Sequence, residues 1–140
     1  MNIKDKAIEY FREGYSCSQA VLMACAGKSS ETARAAAAFG GGMGRLQKTC
    51  GAFTGAYIWF GMAHGAPGLP SESDKTAVYG RVKEFNRIFT ARNGTDQCSE
   101  LLGEDLNTPE GKDNISRKGL SRKVCEKCII DAIEIIESLE

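Results

Sequence analysis

Residues 50–64 read CGAFTGAYIWFGMAH, and the fold turns on how this stretch is taken. Residues 51–63 are the most apolar run in the chain, yet they fall well short of the roughly 20 residues that a membrane span requires. The run is therefore expected to be a buried helix, with Thr49 as its cap and Cys50 in its first turn. GAPGLP at 65–70, with two prolines, ends it in a turn. Helical spacing continues on both sides. Upstream, Ile3, Ala7, Tyr10 and Phe11 form one stripe that stops at Gly14, and Ser16 is placed to cap a helix over 17–26. SETARAAAAF, with Ser30 as its cap, runs into Gly40, Gly41, Gly42 and Gly44. Downstream, Val78, Val82, Phe85 and Phe89 share a face of a helix over 73–91, and a short helix over 96–102 carries Cys98. Residues 103–120 are polar, with Gly, Pro and Asn, and read as a loop. A last helix over 122–139 places Val124, Cys125, Cys128, Ile129, Ala132, Ile133 and Ile136 on its apolar side. No stretch alternates as a strand does. The expected fold is all-α: a single domain over 1–140, built as a bundle of about five to seven helices.

Composition narrows the function. The 140 residues carry 18 basic and 18 acidic side chains, a formal net charge of +0, which argues against a nucleic-acid binder. Hydrophobic content of 42% excludes a disordered chain. The N-terminal MNIKDKAIEYFREG is charged and amphipathic and lacks the apolar core of a secretory signal, so a cytoplasmic location without membrane insertion is expected. Thiols stay reduced in that compartment, so the six cysteines point to metal binding or thiol redox chemistry before a disulfide scaffold. A single histidine excludes sites that need several imidazoles. That residue, His64, reads as a helix C-terminal side chain facing carbonyls. Trp59, Phe60 and Met62 read as core, and Glu134 and Glu137 as a solvated face.

Cys17 and Cys25 lie on one predicted helix about 12 Å apart, beyond the roughly 7 Å that a disulfide tolerates, so their partners must come from elsewhere. Cys125 and Cys128 form a C-x-x-C with Lys123 and Lys127 nearby, but no strand supplies the setting of a thioredoxin-type motif. Cys50 is the strongest single candidate, because a helix N-terminus stabilises a thiolate. The FGGGMGRLQKT ahead of it can turn backbone N–H groups toward an anion, through Gly41, Gly42, Gly44 and Arg45, while Gly51 permits close approach. This loop matches neither dinucleotide-binding nor P-loop spacing.

GYSCSQAV around Cys17, GGGMG followed by CGAFTGA around Cys50, Cys98 before SELLG, and Cys128 before IIDAIEII together resemble the family of small redox-active proteins named for its C, CGAxxG, C, C pattern (C_GCAxxG_C_C). The resemblance runs nearly end to end. It implies that Cys17, Cys50, Cys98 and Cys128 are the functional set, with Cys25 and Cys125 outside the pattern. A related domain of split-Soret cytochromes has been associated with an iron–sulfur centre. The first expectation is thus a metal site on those four thiolates, a [2Fe–2S] or [4Fe–4S] cluster or zinc, transferring electrons to a redox partner protein. The alternatives are cofactor-free dithiol–disulfide chemistry with Cys50 as catalytic nucleophile, and a non-catalytic module binding a metal or small ligand.

Overall fold

A computed structural model describes Met1–Glu140 and contains eight α-helices and no strand ladder. Side-chain caps set most helix starts. Asn2 opens α1 (Ile3–Glu13) by accepting the Asp5 N–H at 2.8 Å, and Gly14 closes it. Reciprocal Ser16–Gln19 and Ser29–Thr32 capping boxes open α2 (Cys17–Ala26) and α3 (Ser30–Ala36). The cap of α3 is therefore Ser29, one position before the expected Ser30. Ala37–Phe39 tightens into a 3-10 turn that delivers the chain to the glycine cluster.

The stretch that decides the fold is α4 (Gly51–His64), and it lies at the centre of the molecule. Its first six residues and Phe60 are buried. Packing is close because of two glycines: a Cβ on Gly55 would lie 2.6 Å from the Ser18 carbonyl oxygen of α2, and one on Gly51 would lie 2.9 Å from the Ser18 nitrogen. Against another side of α4 packs α5 (Glu72–Asn93), opened by a Ser71–Asp74 capping box. There the Phe53 ring lies 4.1 Å from that of Phe89 and 5.3 Å from that of Phe85. The core is completed by α8 (Lys127–Ser138), with Ile129, Ala132, Ile133 and Ile136, packed also on α1. Its polar side is tied down: Glu134 receives Lys4 at 3.1 Å and Arg92 at 3.0 Å, so it is an ion-pair centre rather than a merely solvated carboxylate.

Four local expectations are corrected. Residues 103–120 are not all loop, since they contain α7 (Pro109–Lys118), with Thr108 capping the Gly111 N–H at 2.9 Å and Pro109 in the first turn. A helix over 122–139 exists, but its start is a π-helical segment, Ser121–Glu126, in which each turn is wider than in an α-helix. Met62 is exposed and Trp59 only partly buried, because the C-terminal end of α4 runs past the core; Phe60 is buried as expected. His64 meets not backbone carbonyls but the Glu140 carboxylate, at 3.0 Å. No helix is long and apolar enough to cross a membrane.

Candidate functional site

Cys17, Cys50, Cys98, Cys125 and Cys128 all line one cavity of about 200 Å³. Each is brought there by a different device. Cys17 is the first residue of α2, directly after the Ser16 cap. Cys50 is the N-cap of α4, one position before the first turn where it was expected. Cys98 is the first residue of the short α6 (Cys98–Leu102). Cys125 sits in the π-helical segment, and Cys128 follows in α8. The N-terminal ends of α2 and α4 therefore both border the cavity, and backbone N–H groups of the first turn of α4 favour negative charge on Cys50.

Cys50 and Cys98 are held side by side by backbone alone. The Cys50 N–H donates to the Asp96 carbonyl at 2.8 Å and the Cys98 N–H to the Lys48 carbonyl at 2.7 Å, around the bridge between Thr49 and Gln97. The glycine cluster makes this approach possible. Gly41, Gly42, Met43, Gly44 and Arg45 all have positive φ, so the chain makes a left-handed turn. Gly42 is buried at its base, where a Cβ would lie 2.7 Å from both the Cys98 Cβ and the Lys48 nitrogen. Gly40 is equally tight, its Cβ position 2.6 Å from that of Ser16. Met43, Arg45 and Gln47 hold φ values of 66°, 63° and 57°, which L-residues adopt at a cost of about 1–2 kcal/mol each. Strain of this kind concentrates at functional sites. Gln47 is held by the segment that follows α6: its side chain donates to the Glu104 carbonyl at 2.8 Å and accepts from the Leu106 N–H at 3.0 Å.

Of the residues expected to meet a cofactor, Gly41, Gly42, Arg45 and Gly51 line the cavity and Gly44 does not. The N–H groups of Gly44, Arg45, Gln47 and Lys48 donate to the carbonyls of Gly40, Gly41 and Gly42. They serve the turn itself and do not point at sulfur.

The thiols associate in pairs. Cys50 and Cys128 shift one another's ionisation, and so do Cys17 and Cys125. The Cys128 thiol lowers the Cys50 pKa below the ordinary thiol value, while burial opposes the shift. The N–H groups of Ala52 and Phe53, in the first turn of α4, lower it further. The neighbouring Cys50, together with burial, drives the Cys128 thiol upward. In the second pair Cys17 is raised and Cys125 lowered, again each chiefly by the other. Cys98 has no thiol partner, and burial pushes it up to about 12.

Cys25 lies apart, in a hollow with Trp59, Ile136 and Glu137, and burial next to Glu137 and Glu140 pushes it up to about 12 as well. Cys125, which the sequence pattern leaves aside with Cys25, is instead part of the cavity lining. Only its position next to Cys128 within the C-x-x-C pointed that way, and a π-helical turn is not foreseeable from the spacing. No group of three or more His, Cys, Asp or Glu side chains is arranged to hold one metal ion.

No curated protein and no solved structure matches this chain. A family model does match over residues 15–139, which takes in all five cavity cysteines. The chain belongs to the family that this model describes as putative redox-active protein (C_GCAxxG_C_C).

Proposed function

We propose that the protein is a dithiol–disulfide redox protein whose working couple is Cys50 and Cys128. The carrying observation is that Cys50 and Cys128 line the same cavity and that Cys128 is the group that most lowers the Cys50 pKa, which makes the two thiols neighbours. Cys50 is the nucleophile, because the neighbouring Cys128 and the N-terminus of α4 both favour its thiolate. As a thiolate it attacks an incoming disulfide, forms a mixed disulfide and releases the first thiolate of that partner. The Cys128 sulfur then attacks Cys50, giving the Cys50–Cys128 disulfide and releasing the second partner thiol. Two electrons leave the protein, and the protons of the two cysteines end on the two released thiols. The substrate class is therefore a disulfide in one direction and a dithiol in the other, with a redox protein or a small thiol as partner.

An iron–sulfur centre on Cys17, Cys50, Cys98 and Cys128 is the second reading. It is favoured by the free volume of about 200 Å³ among thiols that match the usual complement of four. Bound there, such a centre would supply one-electron transfer. The lack of any three ligands gathered at one point disfavours zinc, which collects four ligands on one ion.

Purification without oxygen, followed by iron, zinc and acid-labile sulfide analysis, separates the two readings. The dithiol reading expects a colourless protein with metal and sulfide far below stoichiometric. Stoichiometric iron and sulfide with visible charge-transfer absorption would overturn it in favour of the cluster.

A further inference from the structure

The proposed couple is buried: Cys50 is 7% exposed and Cys128 2%, so another protein cannot bring a disulfide to them without opening the fold. What leads to them is the cavity that both line. Its free volume of about 200 Å³ lies below the roughly 300–1,000 Å³ of drug-sized sites and above the about 150 Å³ that admits benzene. A small molecule is what fits. Apart from the cysteines the wall is mainly apolar, made by Phe11, Leu101, Leu102, Leu106, Ile115 and Val124. Arg45 is the one charged side chain among the lining residues, and it is exposed, whereas Cys50, Cys98 and Cys128 are buried. The cavity therefore runs from sulfur inside to a guanidinium at the solvent. Arg45 is held there by its surroundings. Its φ of 63° is one that a non-glycine residue adopts at a cost. Its N–H donates to the Gly40 carbonyl at 3.1 Å, and its own carbonyl accepts from the Asn107 side chain at 2.8 Å. Its stem lies over Gly41, where a Cβ would meet the Arg45 Cγ at 2.7 Å and Leu106 at 3.5 Å. No carboxylate lines the cavity, and no ion pair within the protein engages the Arg45 guanidinium.

We infer that Arg45 and the apolar wall select, as substrate of the buried couple, a small dithiol or disulfide with an apolar chain and one carboxylate end. The inference rests on the reading of Cys50–Cys128 as the working couple and names what that couple acts on. The guanidinium takes the carboxylate through paired hydrogen bonds at the mouth, and the chain lies along the apolar wall toward Cys50. A second charge on the chain would be buried against that wall without a partner, so one anionic end is the limit. In the reductive direction a substrate thiolate attacks the Cys50 sulfur, breaks the Cys50–Cys128 bond and releases Cys128. The second substrate thiol then attacks the first substrate sulfur, closes the substrate's own disulfide and releases Cys50. Two electrons pass from substrate to protein, and the two protons of the substrate thiols end on the freed cysteines. The substrate dithiol is the only reductant required. Oxidation of the protein runs the same steps in reverse. Arg45 touches no sulfur and moves no proton; it is a specificity residue.

The test uses the full-length protein, oxidised with diamide to form the Cys50–Cys128 link and then kept free of oxygen. Two reductants are compared: dihydrolipoate, a dithiol with an apolar chain and a carboxylate, and dihydrolipoamide, its uncharged amide with the same thiols. Timed alkylation and peptide mapping follow Cys50 and Cys128. At low concentration the carboxylate is expected to reduce wild type at least about tenfold faster than the amide does, as a hydrogen-bonded charge pair would give. Raising the salt from about 10 mM to 1 M is expected to shrink that preference, because the guanidinium is exposed. Arg45→Gln keeps a stem to lie over Gly41 and is expected to abolish the preference, and Arg45→Lys to keep part of it. The ratio of the two rates cancels any loss of folded protein, which slows both reductants alike. A wild type without preference, or a preference that Arg45→Gln leaves intact, would overturn the carboxylate site and leave the couple standing. Absence of any Cys50–Cys128 link after diamide would overturn the underlying reading and the inference with it.

Discussion

At the scale of single residues, what sets the chemistry is which sulfur carries negative charge. The neighbouring Cys128 and the N-cap position of Cys50 lower its pKa, whereas burial holds Cys25 and Cys98 near 12. A thiolate is present above the pKa of its group, so at neutral pH Cys50 is the first of these three to react. Iodoacetamide titration of the reduced protein from pH 6 to 9, read by peptide mass, is expected to label Cys50 with an inflection below that of an ordinary thiol. Cys25 and Cys98 should remain largely unlabelled throughout the range. Replacing that neighbour, Cys128→Ala, should move the Cys50 inflection upward. If the inflection does not move, Cys128 is not what lowers it. Gly42 is a second decisive residue, for reasons of space. Its φ of 70° costs an alanine about 1–2 kcal/mol. The Cβ contacts at 2.7 Å, two of whose partners are the backbone of Lys48 and the Cys98 Cβ, add overpacking of about 1–3 kcal/mol. Gly42→Ala should therefore lose at least about 2 kcal/mol, a fall in Tm of roughly 6–10 °C by calorimetry.

Among the elements, the informative contrast is between what the sequence announces and what tertiary structure imposes. The helix over 51–64 is legible because its run of apolar residues is too short for a membrane and ends in a Gly-Pro turn. The caps at Ser16 and the stop at Gly14 are legible for the same local reasons. By contrast, α7 buries only Gly111, so its sequence has almost no apolar stripe to betray it. Its signature is a cap, Thr108 before Pro109, inside a stretch whose polarity suggests a loop. The π-helical turn at Ser121–Glu126 is more hidden still, since its residues also fit an α-helix and its one anchor to α1, the Arg12–Glu126 ion pair, is a long-range contact. For the same reason four of the five cavity cysteines were identifiable from their order in the chain, while Cys125 was not. Helix packing makes its own prediction. Gly55→Ala gains helix propensity of up to about 1 kcal/mol. The new Cβ, however, meets the Ser18 carbonyl at 2.6 Å, and forcing α2 from α4 costs about 1–3 kcal/mol. The net expectation is a loss of about 1–2 kcal/mol by urea unfolding, with weaker protection of Cys17, whose helix is displaced. A stabilised variant would show that α2 can yield without cost.

Across the whole molecule, the division of labour is between a dry aromatic core and a thiol-lined cavity at the helix N-termini. Phe53, Phe60, Phe85 and Phe89 are fully buried, and α4 contributes to both regions: its aromatic face to the core and its N-terminal end to the cavity. Phe85→Ala should cost about 3–5 kcal/mol, a large share of the roughly 5–15 kcal/mol that holds a domain of this size together. Because Phe85 is not among the residues lining the cavity, the same variant, in its folded fraction, should keep the alkylation order of the thiols. The central claim is that Cys50 and Cys128 interconvert between dithiol and disulfide. Its most direct measurement is a redox titration of the metal-free full-length protein in thiol–disulfide buffers without oxygen, quenched by alkylation and read residue by residue. The account predicts that Cys50 and Cys128 lose alkylation together, in one two-electron transition, with a peptide link between them. If both cysteines stay fully alkylated at every potential, or each pairs with a different cysteine, the account is contradicted.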